Sequence, residues 1–454
     1  MKTVGLRSIV LYILLFAFLG GMGWLVVSLF INGSQWAMQL YNGHIYVEDP
    51  TVTLGDIVDR DGTLLASTDD SGRRTYSESE TTRRALLHTV GDTYGYISTG
   101  VQYTMGDRLT GYNPIFGLND TVFRSIGSRV KLTVDAGACT AAYNALEGHN
   151  GGAIFYNYKN GNILCKVSAP GYDPLNVPED IDENPEYKGA YLDNTLSGAF
   201  TPGSTFKLVT CLAAMEKWPD TWTDLRYDCL QSEDIGGSDV TCLGYHGEQD
   251  MQTALGNSCN LYFAKLANDI GAADLQKTAE KLGFNASLDF DGVEVAASEC
   301  KLSGANANQL GWAGVGQYTV LVNPYHMMTV MGAVANGGTY VQPRLTEDSG
   351  LFSGLGASGG RSIMSSVQAA NLKTLMRGTV SGYYGDWLFP EGLNVCAKTG
   401  TGEVSETQEP NCWVVGFCDS ESYPIAFAVL VEESNNSLGA AGAVVSAVLS
   451  ELVN

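Results

Sequence analysis

Ser204 and Lys207 stand three positions apart at the head of GAFTPGSTFKLVTCLAAMEKW, residues 198–218. Pro202-Gly203 before an apolar-periodic run marks a helix start. Positions i and i+3 share a helix face, so Oγ and Nζ can meet. The positive end of the helix dipole disfavours another cation there, and burial drives a lysine the same way, towards the neutral amine. A neutral lysine can take the proton of a serine hydroxyl, which is what a serine nucleophile requires. Backbone N–H groups at the same helix end can hold an oxyanion. The chemistry would be acyl transfer. An S-x-x-K tetrad is common, however, and the same residues also describe a Ser-capped helix with a solvated lysine.

Two further stretches bear on that choice. In GNSCNLYFAKLAND, Ser258 and Asn260 flank Cys259 just before a helical pattern; either could equally be a cap. In VCAKTGTGE, Lys398, Thr399 and Gly400 lie in an apolar strand pattern, with Thr401 following. A glycine inside a strand weakens it and often marks close approach by another backbone. A substrate peptide laid antiparallel along an open strand edge would use that space. The five histidines, His44, His88, His149, His246 and His326, are scattered, and none sits in a G-x-S-x-G or H-E-x-x-H setting. A Ser-His-Asp hydrolase and a zinc hydrolase are therefore poor readings, and nothing calls for a catalytic metal or a cofactor.

The elements that must position these residues follow from periodicity. RVKLTVD reads as a strand, and AGACTAAYNALEG as a helix closed by Gly148. GGAIFYNYKNGNILCKVSAP reads as two strands joined at Asn160-Gly161. Residues 199–285 read mostly as helices and loops. NVCAKTGTGE, PNCWVVGFCDS and YPIAFAVLVEE read as three strands, and GAAGAVVSAVLSELVN as a closing helix. Strands at both ends with helices between predict one mixed sheet, assembled from distant segments and packed by helices, in an α/β (α+β) fold. Upstream, VTLGDIVDRDGTLLAS reads as a hairpin around Asp59–Gly62, and residues 81–91 as a short helix ending at Gly91.

The chain of 454 residues, 44% hydrophobic, can bury a real core. Its net charge of −23 disfavours nucleic acid as a partner. Ile9–Ile31 is an uncharged run of 23 residues, preceded by Lys2 and Arg7. At ~1.5 Å per residue it would span a bilayer core of ~30 Å. No small-residue cleavage site follows it, so it reads as an uncleaved single-pass anchor with a cytoplasmic head at 1–8. The ten cysteines form no C-x-x-C pair, which makes zinc and redox motifs weak readings. Cys229 and Cys242 bracket a polar loop and are the candidate disulfide; the others read as small buried hydrophobes.

Taken together the three stretches say more than any one. S-x-x-K, S-x-N and K-T-G occur in this order, 54 and then 140 residues apart, each in its required context of helix start, loop before a helix, and strand. This resembles the three-motif set of penicillin-binding proteins and serine β-lactamases. GAFTPGSTFK, HGEQDMQTALGNSCNLYF, VGQYTVLVNPYHMM and AKTGTGE all look like stretches of that family. The resemblance covers residues 129–454 well and 54–128 loosely. There, DIVDRDGTLLA is similar to the strand after the anchor in class B penicillin-binding proteins, although Leu54 stands before Gly55 where an arginine is usual.

The resemblance implies a β-lactamase/transpeptidase-like fold with a small pedestal at 32–128 and a transpeptidase domain at 129–454. It implies that Ser204 is acylated, that Lys207 accepts its proton, and that Ser258 relays protons to and from the leaving amine. Asn260 would hold Lys207 and the substrate amide. Lys398, with Thr399 and Thr401, would bind the substrate carboxylate, and the N–H groups of Ser204 and Thr401 would form the oxyanion hole. Trp312, Gly316 and Gln317 would support the site. About 100 residues between anchor and transpeptidase are too few for a glycan polymerase domain as well as a pedestal. β-Lactamases are usually unanchored and need a deacylating base, for which no clear glutamate motif is present. The implied function is a short, monofunctional class B-like D,D-transpeptidase acting on peptidoglycan stem peptides and acylated by β-lactams, with a membrane-embedded glycan polymerase of the SEDS type as partner. A D-Ala-D-Ala carboxypeptidase, or a non-catalytic cell-wall sensor or scaffold, is the alternative.

Overall fold

The computed structural model describes residues 2–37, 54–111, 128–346, 360–405 and 407–453; His44 lies outside them. Helix α1 (Lys2–Ala37) contains Ser8–Leu29, 22 residues long and apolar enough to cross a membrane, the one such helix among the described residues.

The chain divides into two compact units. The first holds Met1–Ile57, Leu64–Tyr76 and Val90–Val130; the second holds Val58–Thr63, Ser77–Thr89 and Lys131–Asn454. In the first, Leu64–Thr68 pairs antiparallel with Arg74–Tyr76. The buried Arg74 guanidinium donates to the Gly55 carbonyl (2.9 Å) and to Gln102 (2.7 Å), which ties the strand to its surroundings. The expected turn at Asp59–Gly62 is closed by Asp59 N–H to Thr63 O, with Gly62 at φ +90° as such a turn requires. The helix expected over 81–91 is two short pieces, Glu80–Ala85 capped by Ser79 and Leu87–Val90, ending at Gly91.

The second unit is organised by a five-stranded sheet. Helix α2 (Ala136–Ala145), N-capped by Asp135, leads into β1 (Gly151–Asn157) and β2 (Ile163–Ala169), with Gly161 at φ +83° in the connection. Helices α3 (Lys207–Lys217), α4 (Asn260–Ile270) and α5 (Pro324–Ala335) follow. Then come β3 (Val395–Gly402), β4 (Asn411–Cys418), β5 (Ile425–Val431) and helix α6 (Ala441–Val453). The sheet order is β3-β4-β5-β1-β2, and all four pairings are antiparallel. As the sequence predicts, it joins segments more than 200 residues apart.

Every residue of β4 and β5 is buried, so both faces of the sheet are covered. Helices α2 and α6 pack on each other and on the sheet, and α5 lies against β1, β4 and β5. All twelve residues of α5 are buried, so it carries no solvent stripe, and its two polar members, His326 and Thr329, are hydrogen-bonded inside. β3 is left as an edge strand.

Two features depart from the expectation. Residues 225–250 hold two small antiparallel ladders, Tyr227–Cys229 with Gly247–Gln249 and Ser232–Asp234 with Asp239–Thr241. Strands of three residues are too short to show an alternation in sequence. Cys229 and Cys242, the candidate disulfide, are both free.

Candidate active site

Ser204 does not cap a helix. Gly203–Phe206 forms one 3-10 turn that hands over to α3 at Lys207, and no side chain caps either start. Residues i and i+3 eclipse in such a turn, which stacks Lys207 over Ser204 with Nζ 2.9 Å from Oγ. Lys207 is fully buried. Its Nζ also lies 2.7 Å from the Ser258 carbonyl, 2.8 Å from Asn260 Oδ1 and 3.3 Å from Ser258 Oγ. Two of these neighbours, the carbonyl and the amide oxygen, can only accept. The Asn260 orientation is fixed because its Nδ2 donates to the Thr241 carbonyl at 3.0 Å. A neutral amine has two N–H donors and one lone pair. With both donors engaged on those oxygens, the lone pair is left for the serine hydroxyl. Burial, and then the charge of Lys398, push the Lys207 ammonium well below its ordinary range.

The second stretch is shaped for the same purpose. Cys259, not Ser258 or Asn260, caps α4, its sulfur accepting from the Tyr262 N–H at 3.4 Å. The flanking side chains are thereby released from capping. Ser258 takes φ +54°, uncommon for a residue with a Cβ. Its Oγ sits between the two lysines, 3.3 Å from Lys207 Nζ and 3.1 Å from Lys398 Nζ.

Lys398 is fully buried on the edge strand β3. Burial lowers its ammonium to about 7. Its Nζ also reaches Tyr384 Oη and the Thr399 carbonyl, both at 3.0 Å. The glycine of the third stretch does mark a close backbone approach, by this chain's own loop: a Cβ on Gly400 would collide with the Pro202 carbonyl and lie 2.8 Å from Thr205 Cγ2. That contact sets the KTG strand directly against the turn that carries Ser204. Gly316 seals the other side. It accepts from the Gly203 N–H at 3.0 Å, and a Cβ there would collide with the Gly203 carbonyl. Gln317 Nε2 reaches the Thr401 carbonyl at 3.3 Å, and the Gln317 N–H is held by Trp312 O at 2.9 Å.

Two participants carry no signal in the sequence. Tyr384 ends a π-helical stretch, Val380–Tyr384, and its hydroxyl bonds Thr399 Oγ1 (2.9 Å) and takes the Thr399 N–H (3.2 Å). Ser437 donates to the Gly400 carbonyl at 2.7 Å and bonds Thr401 Oγ1 at 3.2 Å. A five-residue π-helical stretch and the loop that holds Ser437 are both too short or too irregular for periodicity to report. The histidines are engaged elsewhere: His326 with Ser298 and the Leu282 carbonyl, His88 with the Ala190 carbonyl. Among the described residues no histidine bonds Ser204.

Comparison with known proteins gives the family and the fold. The model of the penicillin binding protein transpeptidase domain matches residues 151–453, a span that holds all three stretches. The peptidoglycan D,D-transpeptidase PbpA of Mycolicibacterium smegmatis is 26% identical over 441 residues, 85% of each chain. Penicillin-binding protein 3 of Bacillus subtilis is 26% identical over 324 residues, 67% of this chain and 48% of that one. Among solved structures, the D,D-transpeptidase domain of a peptidoglycan glycosyltransferase from Eggerthella lenta superposes with a TM-score of 0.73 at 25% identity, covering 89% of this chain and 98% of that one. Penicillin-binding protein A of M. tuberculosis, solved as a ceftriaxone acyl-enzyme, gives a TM-score of 0.76 at 23% identity, covering 90% and 100%, and shares the fold. The match over 151–453 holds the turn, the loop and the edge strand that meet at the two buried lysines, and the chain belongs to the penicillin-binding protein transpeptidase family.

Proposed function

We propose that this chain is a single-pass, monofunctional peptidoglycan D,D-transpeptidase. One observation carries the reading: the buried Lys207 amine faces two oxygens that only accept, and the Ser204 hydroxyl, so its lone pair is aimed at the serine proton. Ser204 Oγ attacks the penultimate D-Ala carbonyl of a stem peptide while its proton passes to Lys207. The backbone N–H groups of Ser204 and Thr401 receive the oxyanion. The C–N bond breaks, and the terminal D-Ala leaves as an amine with a proton delivered through Ser258. An amine of a neighbouring strand then attacks the ester, its proton returns by the same route, and Ser204 is regenerated. Asn260 keeps Lys207 in place and binds the substrate amide. Lys398, with Thr399 and Thr401, holds the terminal carboxylate. A β-lactam acylates the same serine because its ring amide imitates the D-Ala-D-Ala bond.

The membrane-proximal region is 32–128 and the catalytic domain 129–454, on the extracytoplasmic side where cross-linking takes place. A membrane-embedded glycan polymerase of the SEDS type supplies the strands. The test uses the full-length protein in detergent with fluorescent penicillin, a stem-peptide donor and an acceptor amine. The parent takes a covalent label and Ser204→Ala takes none. A parent without label refutes the nucleophile; D-Ala release with no cross-linked product makes the enzyme a carboxypeptidase.

A further inference from the structure

Cys229, Cys242, His246 and Cys259 are brought together from four separate segments. Cys229 ends one short strand, Cys242 follows another, His246 precedes a third, and Cys259 caps α4. The three sulfurs and one imidazole nitrogen all lie within 4.8 Å of one another. We infer that these four residues form a structural tetrahedral site for one Zn2+ ion, which clamps the loop carrying Ser258 and Asn260. The metal assignment stands independently of the acyl-transfer reading; only its effect on Ser258 rests on it.

The spacings carry the assignment. Zinc binds thiolates at ~2.3 Å and imidazole nitrogen at ~2.0–2.1 Å, so tetrahedral angles separate two sulfurs by ~3.8 Å and a sulfur from a nitrogen by ~3.6 Å. Cys242 Sγ is 4.0 Å from Cys259 Sγ, and His246 Nδ1 is 3.4 and 3.6 Å from the sulfurs of Cys229 and Cys242. A disulfide would instead need ~2.05 Å and a facing pair. Three sulfurs and one imidazole make the donor set of closed structural zinc sites, with no position left for substrate.

The surroundings suit ligands rather than thiols. The Asn260 N–H points at Cys242 Sγ (3.3 Å) and the Tyr262 N–H at Cys259 Sγ (3.4 Å). Backbone donors on metal-bound sulfur are the outer shell such sites use. Cys229 Sγ has the Gly244 carbonyl at 3.4 Å, and Cys242 Sγ has Cys259 Sγ at 4.0 Å; these are contacts that lost thiol protons give up in exchange for the metal.

A staple also answers a need of the fold. The two ladders of residues 225–250 are three residues long and leave Leu230, Leu243 and Tyr245 exposed. Hairpins that small have too little core to hold themselves. A metal joining Cys229, Cys242 and His246 to Cys259 anchors them to α4. It also fixes the backbone between Ser258 and Asn260, whose side chains set the Lys207 amine. The spacing C-x12-C-x3-H-x12-C hid the site, because the ligands meet through strand pairing and not through a local C-x-x-C knuckle.

The full-length protein, purified in detergent without chelator, should carry about one Zn2+ per chain by elemental analysis. Cys259→Ser and His246→Ala should each lose it, whereas Cys300→Ser, at a buried cysteine outside the cluster, should keep it. Because a cluster variant can fail for want of folding, the parent is also exchanged with Co2+. A tetrahedral visible spectrum with thiolate-to-cobalt absorption is expected, and stripping the metal should slow penicillin labelling by about tenfold or more. A metal-free parent with freely titrating thiols, a Cys229–Cys242 disulfide by mass, or an octahedral cobalt spectrum overturns the site. A parent that holds zinc but never labels leaves the site standing and removes the acyl-transfer reading instead.

Discussion

Lys207 and Lys398 both touch the hydroxyl of Ser258, and two buried ammonium groups cannot comfortably share it. Burial and the neighbouring Lys398 drive Lys207 to give up its proton first; burial alone brings Lys398 to about 7. The sign follows. Below about 7 Lys398 is charged and can hold a carboxylate, while Lys207 must be neutral to serve Ser204. The second-order rate of acylation reports the free enzyme. With a carboxylate-bearing penicillin it should rise as Lys207 deprotonates and fall again as pH passes about 7 and Lys398 loses its charge. In Lys398→Arg, whose guanidinium stays charged, the residual rate should keep the acid limb and lose the alkaline one. Stopped-time labelling across pH checks this, and an unchanged alkaline limb in Lys398→Arg assigns it to some other group.

At the scale of elements, the site depends on a strand edge pressed onto a turn. Gly400 has ordinary backbone angles, so its lack of a side chain serves the contact with Pro202 and Thr205 and not a turn. Gly400→Ala must open that contact, and a displacement near 1 Å at a catalytic group can cost about 10²-fold in rate. The expected result is an acylation rate lower by about that factor. Gly392→Ala is the control. Its φ is +83° with open space around it, so it should cost about 1 kcal/mol of stability and leave acylation unchanged. Labelling rates with melting curves distinguish the two, and a Gly400→Ala enzyme of normal rate would refute the packing argument.

These elements also show what the sequence could reveal. The hairpin at Asn160-Gly161 and the last two strands, β4 and β5, were legible because Gly takes a positive φ there and because strands buried on both faces read as continuous apolar runs. Tyr384 and Ser437 were not legible, because they reach the KTG strand from a short π-helical stretch and a loop that only tertiary packing puts in place. The same holds for the cysteines. Spacing suggested Cys229 with Cys242 alone, while the short ladders add His246 and Cys259.

For the whole molecule, the proposed orientation rests on how charge is distributed about one apolar span. Ser8–Leu29 at ~1.5 Å per residue covers a bilayer core of ~30 Å. Lys2 and Arg7 precede it; the remaining 24 Lys+Arg and all 49 Asp+Glu follow it. Basic residues flanking a span are retained in the cytoplasm, and Asp and Glu have little say in the choice. In the proposed orientation, the two cations before Ser8–Leu29 are what would direct Ser204 to the face where stem peptides are cross-linked. In intact protoplasts, protease should digest a tag placed after Asn454 and spare one placed before Lys2. Replacing Lys2 and Arg7 by glutamate removes the bias while leaving the second unit, which holds Ser204, unchanged in sequence, and should leave a fraction of chains with the C-terminal tag protected and unlabelled by an impermeant fluorescent penicillin. If the C-terminal tag of the parent is protected until the membrane is permeabilised, the orientation is reversed and the proposed reaction has no substrate on its side.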